Sequence, residues 1–164
     1  MRGRRTAGLV ATIAVVGCSV QPQVEISSGT VESAEFAKHV KYYDVQLPAG
    51  ATGLEWLELR DWDINELHLR FATDRVGLIS FLGTYRLAPS TLMEADRSEA
   101  LPSQSGWEDK LPARFREWQP SSWPARASNQ VQDTNSDGLP LSVDLLVDNP
   151  SAAHPTVFVR IMQT

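Results

Sequence analysis

Thiol and imidazole groups are scarce in this chain: 164 residues include one cysteine, Cys18, and three histidines. A single cysteine excludes a disulfide within the chain and a cysteine-built zinc site, so the fold must rest on apolar burial. His39, His68 and His154 fall in three unrelated segments, and none belongs to an H-E-x-x-H spacing. A G-x-S-x-G elbow, an S-x-x-K pair and a Gly-rich phosphate loop are all missing. Without a recognisable nucleophile, base or cofactor loop, the expectation is a protein that is not an enzyme. Twenty acidic residues still leave room for an acid pair assembled from scattered positions. Basic residues are outnumbered, 15 against 20, for a net charge of −5. That balance repels nucleic acid, so no DNA or RNA partner is expected. Long apolar runs are missing too: the run at residues 6–16 is too short to cross a bilayer as a helix.

What stands at the amino terminus is specific. Arg2, Arg4 and Arg5 flank the apolar run, and Val15-Val16-Gly17-Cys18 closes it with small residues before the thiol. This is the layout of a secretory signal. The Val-Val-Gly-Cys ending resembles a bacterial lipobox. That resemblance implies cleavage after residue 17, a thioether-linked diacylglycerol on Cys18, and tethering on the outer face of the bacterial cytoplasmic membrane. Two acyl chains anchor firmly where one binds marginally. Thr6-Ala7 stands where a twin-arginine signal carries a bulky apolar residue, so general export is expected. A soluble secreted product and an uncleaved anchor are the alternatives. Loss of residues 1–17 removes three basic residues and no acidic one, leaving twelve against twenty and a net charge of −8. Residues 18–34 are polar, Ser-rich and aperiodic, which predicts a flexible tether from lipidated Cys18. Residues 35–164 are long enough for a single globular domain with its own core.

Periodicity organises that domain. Phe36, Val40, Tyr43 and Val45 mark a short helix or a first strand leading into the Leu47-Pro48-Ala49-Gly50 turn. Residues 54–60 and 67–73 are strand candidates. In the second, Leu67, Leu69 and Phe71 alternate with His68, Arg70 and Ala72, as in a half-buried antiparallel strand. A polar hairpin loop, residues 61–65, joins the two. His68 and Arg70 are expected on the strand's outer face, as a small cationic patch beside Glu58 or Glu66, which cross-strand charge pairing explains equally well. Thr73-Asp74 offers an N-cap and a first-turn acid, and Leu78, Phe81, Leu82 and Tyr85 form one face of an amphipathic helix. Residues 87–132 hold five prolines with Trp107, Trp118 and Trp123 and no sustained period, so they predict a long irregular segment, functional or partly disordered. A short helix over 112–118, with Pro112 in its first turn, is the one regular element expected there. Leu141, Val143, Leu145 and Val147 alternate with Ser142, Asp144, Leu146 and Asp148. Residues 156–162 are a second β-rich run, and Asp148-Asn149-Pro150-Ser151 is turn chemistry between them. The fold class expected is α+β: an antiparallel sheet of about four or five strands with one main helix packed on a face, plus the long Trp/Pro-rich segment.

Two constellations are candidate sites. Asp133-Thr134-Asn135-Ser136-Asp137-Gly138 matches the opening of an EF-hand calcium loop, with Asp144 at the twelfth position. Alternating short acidic side chains can aim several oxygens at one cation. Against this, the twelfth residue is Asp instead of Glu, and Pro140 lacks an amide. An extended chain from Leu141 would also carry Asp144 about 10 Å away. Calcium and a solvated Asx/Gly turn are therefore both open readings. Trp107, Trp118 and Trp123 could form an aromatic platform for an envelope glycan or protein, or could instead pin the irregular segment onto the sheet. The expected role is a non-enzymatic binding or interaction module acting through residues 87–130, with a calcium-dependent module or an envelope enzyme as rivals.

Several motifs also carry a family likeness. Leu47-Pro48-Ala49-Gly50-Ala51-Thr52, Leu67-His68-Leu69-Arg70-Phe71-Ala72-Thr73 and Gly77-Leu78-Ile79-Ser80-Phe81-Leu82 follow the pattern L-P-x-x-A-T, L-x-L-R-F-x-T and G-L-x-x-F-L. The chain thereby resembles small actinobacterial lipoproteins of unassigned function over most of residues 43–162, with residues 145–159 supplying their closing strand pair. The resemblance implies a surface lipoprotein. It carries no catalytic residue, because its motifs are a turn, a strand, a helix and a hairpin.

Overall fold

Alternating apolar residues on four long strands build the centre of the molecule. The computed structural model describes residues 25–29, 34–60, 64–107, 109–128 and 130–163. Among the described residues eight strands run β1 (Glu25–Gly29), β2 (Thr52–Arg60), β3 (Asn65–Ala72), β4 (Met93–Ala95), β5 (Ala125–Ala127), β6 (Val131–Thr134), β7 (Pro140–Asp148) and β8 (Thr156–Gln163). All pair antiparallel in one sheet, in the order β1-β2-β3-β8-β7-β5-β4, with β6 also on β7. β6 and β5 cover successive halves of the same β7 edge. Between them Ser128 continues the ladder: its N–H donates to the Leu145 carbonyl (3.0 Å) and its Oγ accepts from the Leu145 N–H (3.2 Å).

The α+β class stands, with the antiparallel sheet larger than the four or five strands read from periodicity. The additional strands are short, from three to five residues, below the length at which alternation is legible. One of them corrects the tether. Glu25–Gly29, expected within a flexible 18–34 segment, pairs with β2 from Glu25↔Arg60 to Gly29↔Trp56. An edge strand needs only a free neighbouring ladder, so its sequence can stay polar.

Helices cover one face of the sheet. α1 (Ala34–Tyr42) and α2 (Arg75–Thr84) bury Phe36, Leu78, Phe81 and Leu82 against Trp56, Leu69, Phe71, Leu145 and Val159. Asp74, expected as the first-turn acid after a Thr73 cap, is itself the N-cap of α2, its Oδ1 accepting from the Gly77 N–H at 2.7 Å. Gly77 has a packing reason: a Cβ there would run into Thr73 Oγ1 and press on Pro48. Gln163 and Asn135 tie α1 down by hydrogen bonds to the Tyr42 hydroxyl and carbonyl.

The Pro-rich segment covers the opposite face. Leu57, Leu59, Leu146 and Phe158 point away from the helices, as odd offsets along their strands require. Over them lie Leu101, Trp107, Leu111, Phe115 and Trp118. Two short 3₁₀ turns (Pro89–Thr91, Pro102–Gln104) and the one-turn α3 (Ala113–Arg116) are the only helical pieces described in this segment. His68, expected on an outer face, lies wholly buried beneath this cover, whereas Arg70 stays partly exposed and pairs across the strands with Glu55 at 2.6 Å.

Candidate functional site

The covered strands of the second face carry charge into the interior. β3 presents Glu66 and His68 there, β8 presents Arg160, and β7 presents Asp144, with His68 opposite Arg160 and Arg160 opposite Asp144 in the ladders. The Arg160 guanidinium forks onto Glu66, Nη2 to Oε1 at 2.7 Å and Nε to Oε2 at 3.1 Å. Its Nη1 donates to Glu99 and, at 3.3 Å, to Asp144. His68 completes the network, Nε2 lying 3.2 Å from Glu66 Oε2 and Nδ1 3.3 Å from the Ala100 carbonyl. A planar, permanently charged fork is the group that can satisfy several carboxylates in a dry setting.

Electrostatics follow from this geometry. Burial by itself would raise the Glu66 carboxyl, but hydrogen bonds from His68 and Arg160, and their charges, outweigh it and hold it down at about 2. Asp144 moves the other way. Burial lifts its carboxyl above the ordinary value, Glu99 and Glu66 add to the lift, and Arg160 only partly opposes it. The network opens on one side into a cavity of ≈ 350 Å³ lined by Arg97, Ser98, Glu99, Ser128, Gln130 and Asp144 among others. Its wall is thus anchored on an ion network whose members are mostly buried.

A second buried cluster fastens α1 to β2 on the helical face. Glu58 accepts from Tyr43 (3.2 Å) and from Arg60 (2.9 Å), and lies 3.0 Å from His39 Nδ1. Burial, then the charge and hydrogen bond of Glu58, push the Tyr43 hydroxyl far up, so it stays a donor. His39 Nε2 has no hydrogen-bond partner among the described residues, and the ring sits 4.8 Å from that of Trp56.

The calcium set does not come together. Asp133 pairs opposite Leu141 on the helical side, whereas Asp144, three residues further along β7, faces the other side and binds Arg160. An odd offset on a strand separates them by the thickness of the sheet. Asn135 spends its Oδ1 on the Asp137 and Leu139 N–H groups (3.1 and 2.9 Å), and Asp133 Oδ1 accepts from Thr134 N–H. The loop is the Asx/Gly turn, with Gly138 at φ 78°. Among the described residues no three His, Cys, Asp or Glu side chains cluster to hold a metal.

The aromatic platform is corrected as well. Trp118 is 3% exposed, packed edge-to-face with Phe115 and tilted against Phe158, and Trp107 is 9% exposed. Trp123 is half-buried against the same cluster. These rings pin the irregular segment, because a face without helices needs large apolar groups to close it. Cys18 lies outside the described residues. The Glu66–Arg160–Glu99 network leaves one signal in the sequence: Arg160 is the sole charge in the strongly apolar run of β8. No family model matches this chain, and no curated protein or solved structure matches it.

Proposed function

We propose that this chain is a membrane-anchored extracytoplasmic lipoprotein, tethered through Cys18 on the outer face of a bacterial cytoplasmic membrane. It acts as a non-enzymatic binding module. The cleft between residues 93–99 and 127–130 carries this reading: all of its lining except Asp144 falls within the 87–130 surface, and the Arg160 network holds its wall in place. Its serines, glutamine and carboxylates offer alternating donors and acceptors to a hydroxylated or amine-bearing envelope glycan. The leader sequence and the likeness to small actinobacterial lipoproteins support the address. The ladder beginning at Glu25 shortens the tether to six residues after Cys18, so the sheet would stand within about 25 Å of the lipid.

Two measurements test the proposal. Mass spectrometry of the natively exported protein should show diacylglyceryl on Cys18, and Cys18→Ser should release the chain to the soluble fraction. An unmodified Cys18 overturns the anchor. Solubilised cell-wall glycan fragments should bind the intact protein and lose about tenfold in affinity on Gln130→Ala with Ser98→Ala. Binding that ignores both changes removes the cleft.

A further inference from the structure

A second cavity, ≈ 490 Å³, lies on the helical side of the same β4–β5 edge. Arg126 pairs opposite Val147, whose side chain packs with the helices, while its neighbours Ala125 and Ala127 join the other cluster. The guanidinium therefore stands on the opposite side of the sheet from the glycan cleft. Arg75, the first residue of α2, lines the cavity with it. Leu92 and Pro150 supply apolar wall, and Ser90 and Ser151 supply hydroxyls.

We infer that this cavity binds a small organic anion, a carboxylate or phosphate ester on a short apolar body, between Arg75 and Arg126. Charge is the first support. The sequence is acidic overall, at −5, yet no carboxylate lines this cavity. The acids nearby in sequence are engaged elsewhere: Asp74 caps α2, and Asp148 accepts from the Ser121 N–H and hydroxyl. Arg75 has no ion-pair partner among the described residues. Among the described residues Arg126 is held only by Glu94 at 3.0 Å, with both side chains substantially exposed, an arrangement that an incoming anion can displace at small cost. Guanidinium forks match carboxylate and phosphate oxygens in pairs, and the volume suits a small ligand. The wall chemistry then selects an anion with an apolar body.

Position bears on the ligand's source. Glu25 pairs with Arg60 at one end of the sheet, whereas the cavity borders the β7–β8 turn and the start of α2 at the other, about 25 Å along the strands. If the chain is anchored through Cys18, the cavity faces away from its own bilayer, which favours a soluble anion over a lipid headgroup. Only this orientation rests on the anchor.

The test is an NMR titration of the arginine Nε–H signals in the full-length protein in non-ionic detergent, with butyl phosphate and butyrate as probes and butanol as control. Saturable shifts of Arg75 and Arg126 with the anions, and none with butanol, are expected. Arg75→Gln or Arg126→Gln should each weaken the response about tenfold, and the double variant should abolish it. Absence of a saturable shift, or a response that survives the double substitution, overturns the site. A second arm places the protein in nanodiscs with and without anionic lipid. Shifts produced there without added probe, and not by butyl phosphate in detergent, overturn the soluble-ligand assignment.

Discussion

The two faces of the sheet are closed by different means and to the same degree. α1 and α2 cover one; a Pro-rich segment with barely a turn of helix at a time covers the other. Trp56 and Leu67 under the helices are fully buried, and so are Leu57 and Leu59 under the irregular cover. Burial therefore does not need long regular elements. It needs backbone groups satisfied locally, and the second cover does this with consecutive turns: Leu101 N–H to Ser98, Gln104 to Leu101, Lys110 to Trp107, Phe115 to Pro112. Large rings then supply the area that a helix would supply with a stripe. The faces also differ in how deep charge reaches, since Glu66, His68, Asp144 and Arg160 lie under the irregular cover, joined at its rim by Glu99, and a smaller Glu58 cluster lies under α1.

Tryptophan truncation is the severest way to break this comparison. Trp118→Ala and Trp56→Ala should each cost about 3–5 kcal/mol in urea unfolding, despite their different surroundings. A cost below about 1 kcal/mol for Trp118→Ala would show the irregular cover to be a loose flap.

Acid unfolding sharpens the contrast in charge. Glu66 titrates at about 2 in the folded state against an ordinary 4.5. Its charge therefore contributes stability that is fully present above 4.5 and lost as pH falls toward 2, about 3 kcal/mol for a shift of this size. Asp144, lifted by burial, contributes with the opposite sign and regains stability on protonation. Glu66→Gln should lower stability at neutral pH by a similar amount and flatten the decline between pH 4.5 and 2. An unchanged decline would mean that the network does not govern it.

Smaller effects probe the ends of the elements. Asp74→Ala removes the α2 cap and should cost about 1 kcal/mol by thermal unfolding. Calcium should leave the melting temperature unchanged, and Asp137→Ala should not alter that result, because Asn135 is already spent on the turn. A calcium-dependent rise lost in Asp137→Ala would restore the metal reading.

Legibility followed element length. α2, the β2–β3 pair and the β7–β8 hairpin are legible from spacing, since eight or more residues of alternation or 3.6-residue repeat leave a clear trace. β4, β5 and β6 are not, because three or four residues carry no period. The burial of His68 escapes the sequence for a related reason: alternation shows which side is apolar, and says nothing about whether the polar side is covered.

Residue order alone dictated the local chemistry here: the capped helix, the Asx/Gly turn and the alternation of the long strands. Each depends on neighbours within about a dozen positions. Long-range folding decided the rest. Which side of the sheet Asp144 faces, what covers His68, and which arginines share a cavity depend on residues far apart in the chain, such as Glu66 and Arg160, 94 positions from each other. Their encounter is set by strand order and register, for which no short segment holds the information.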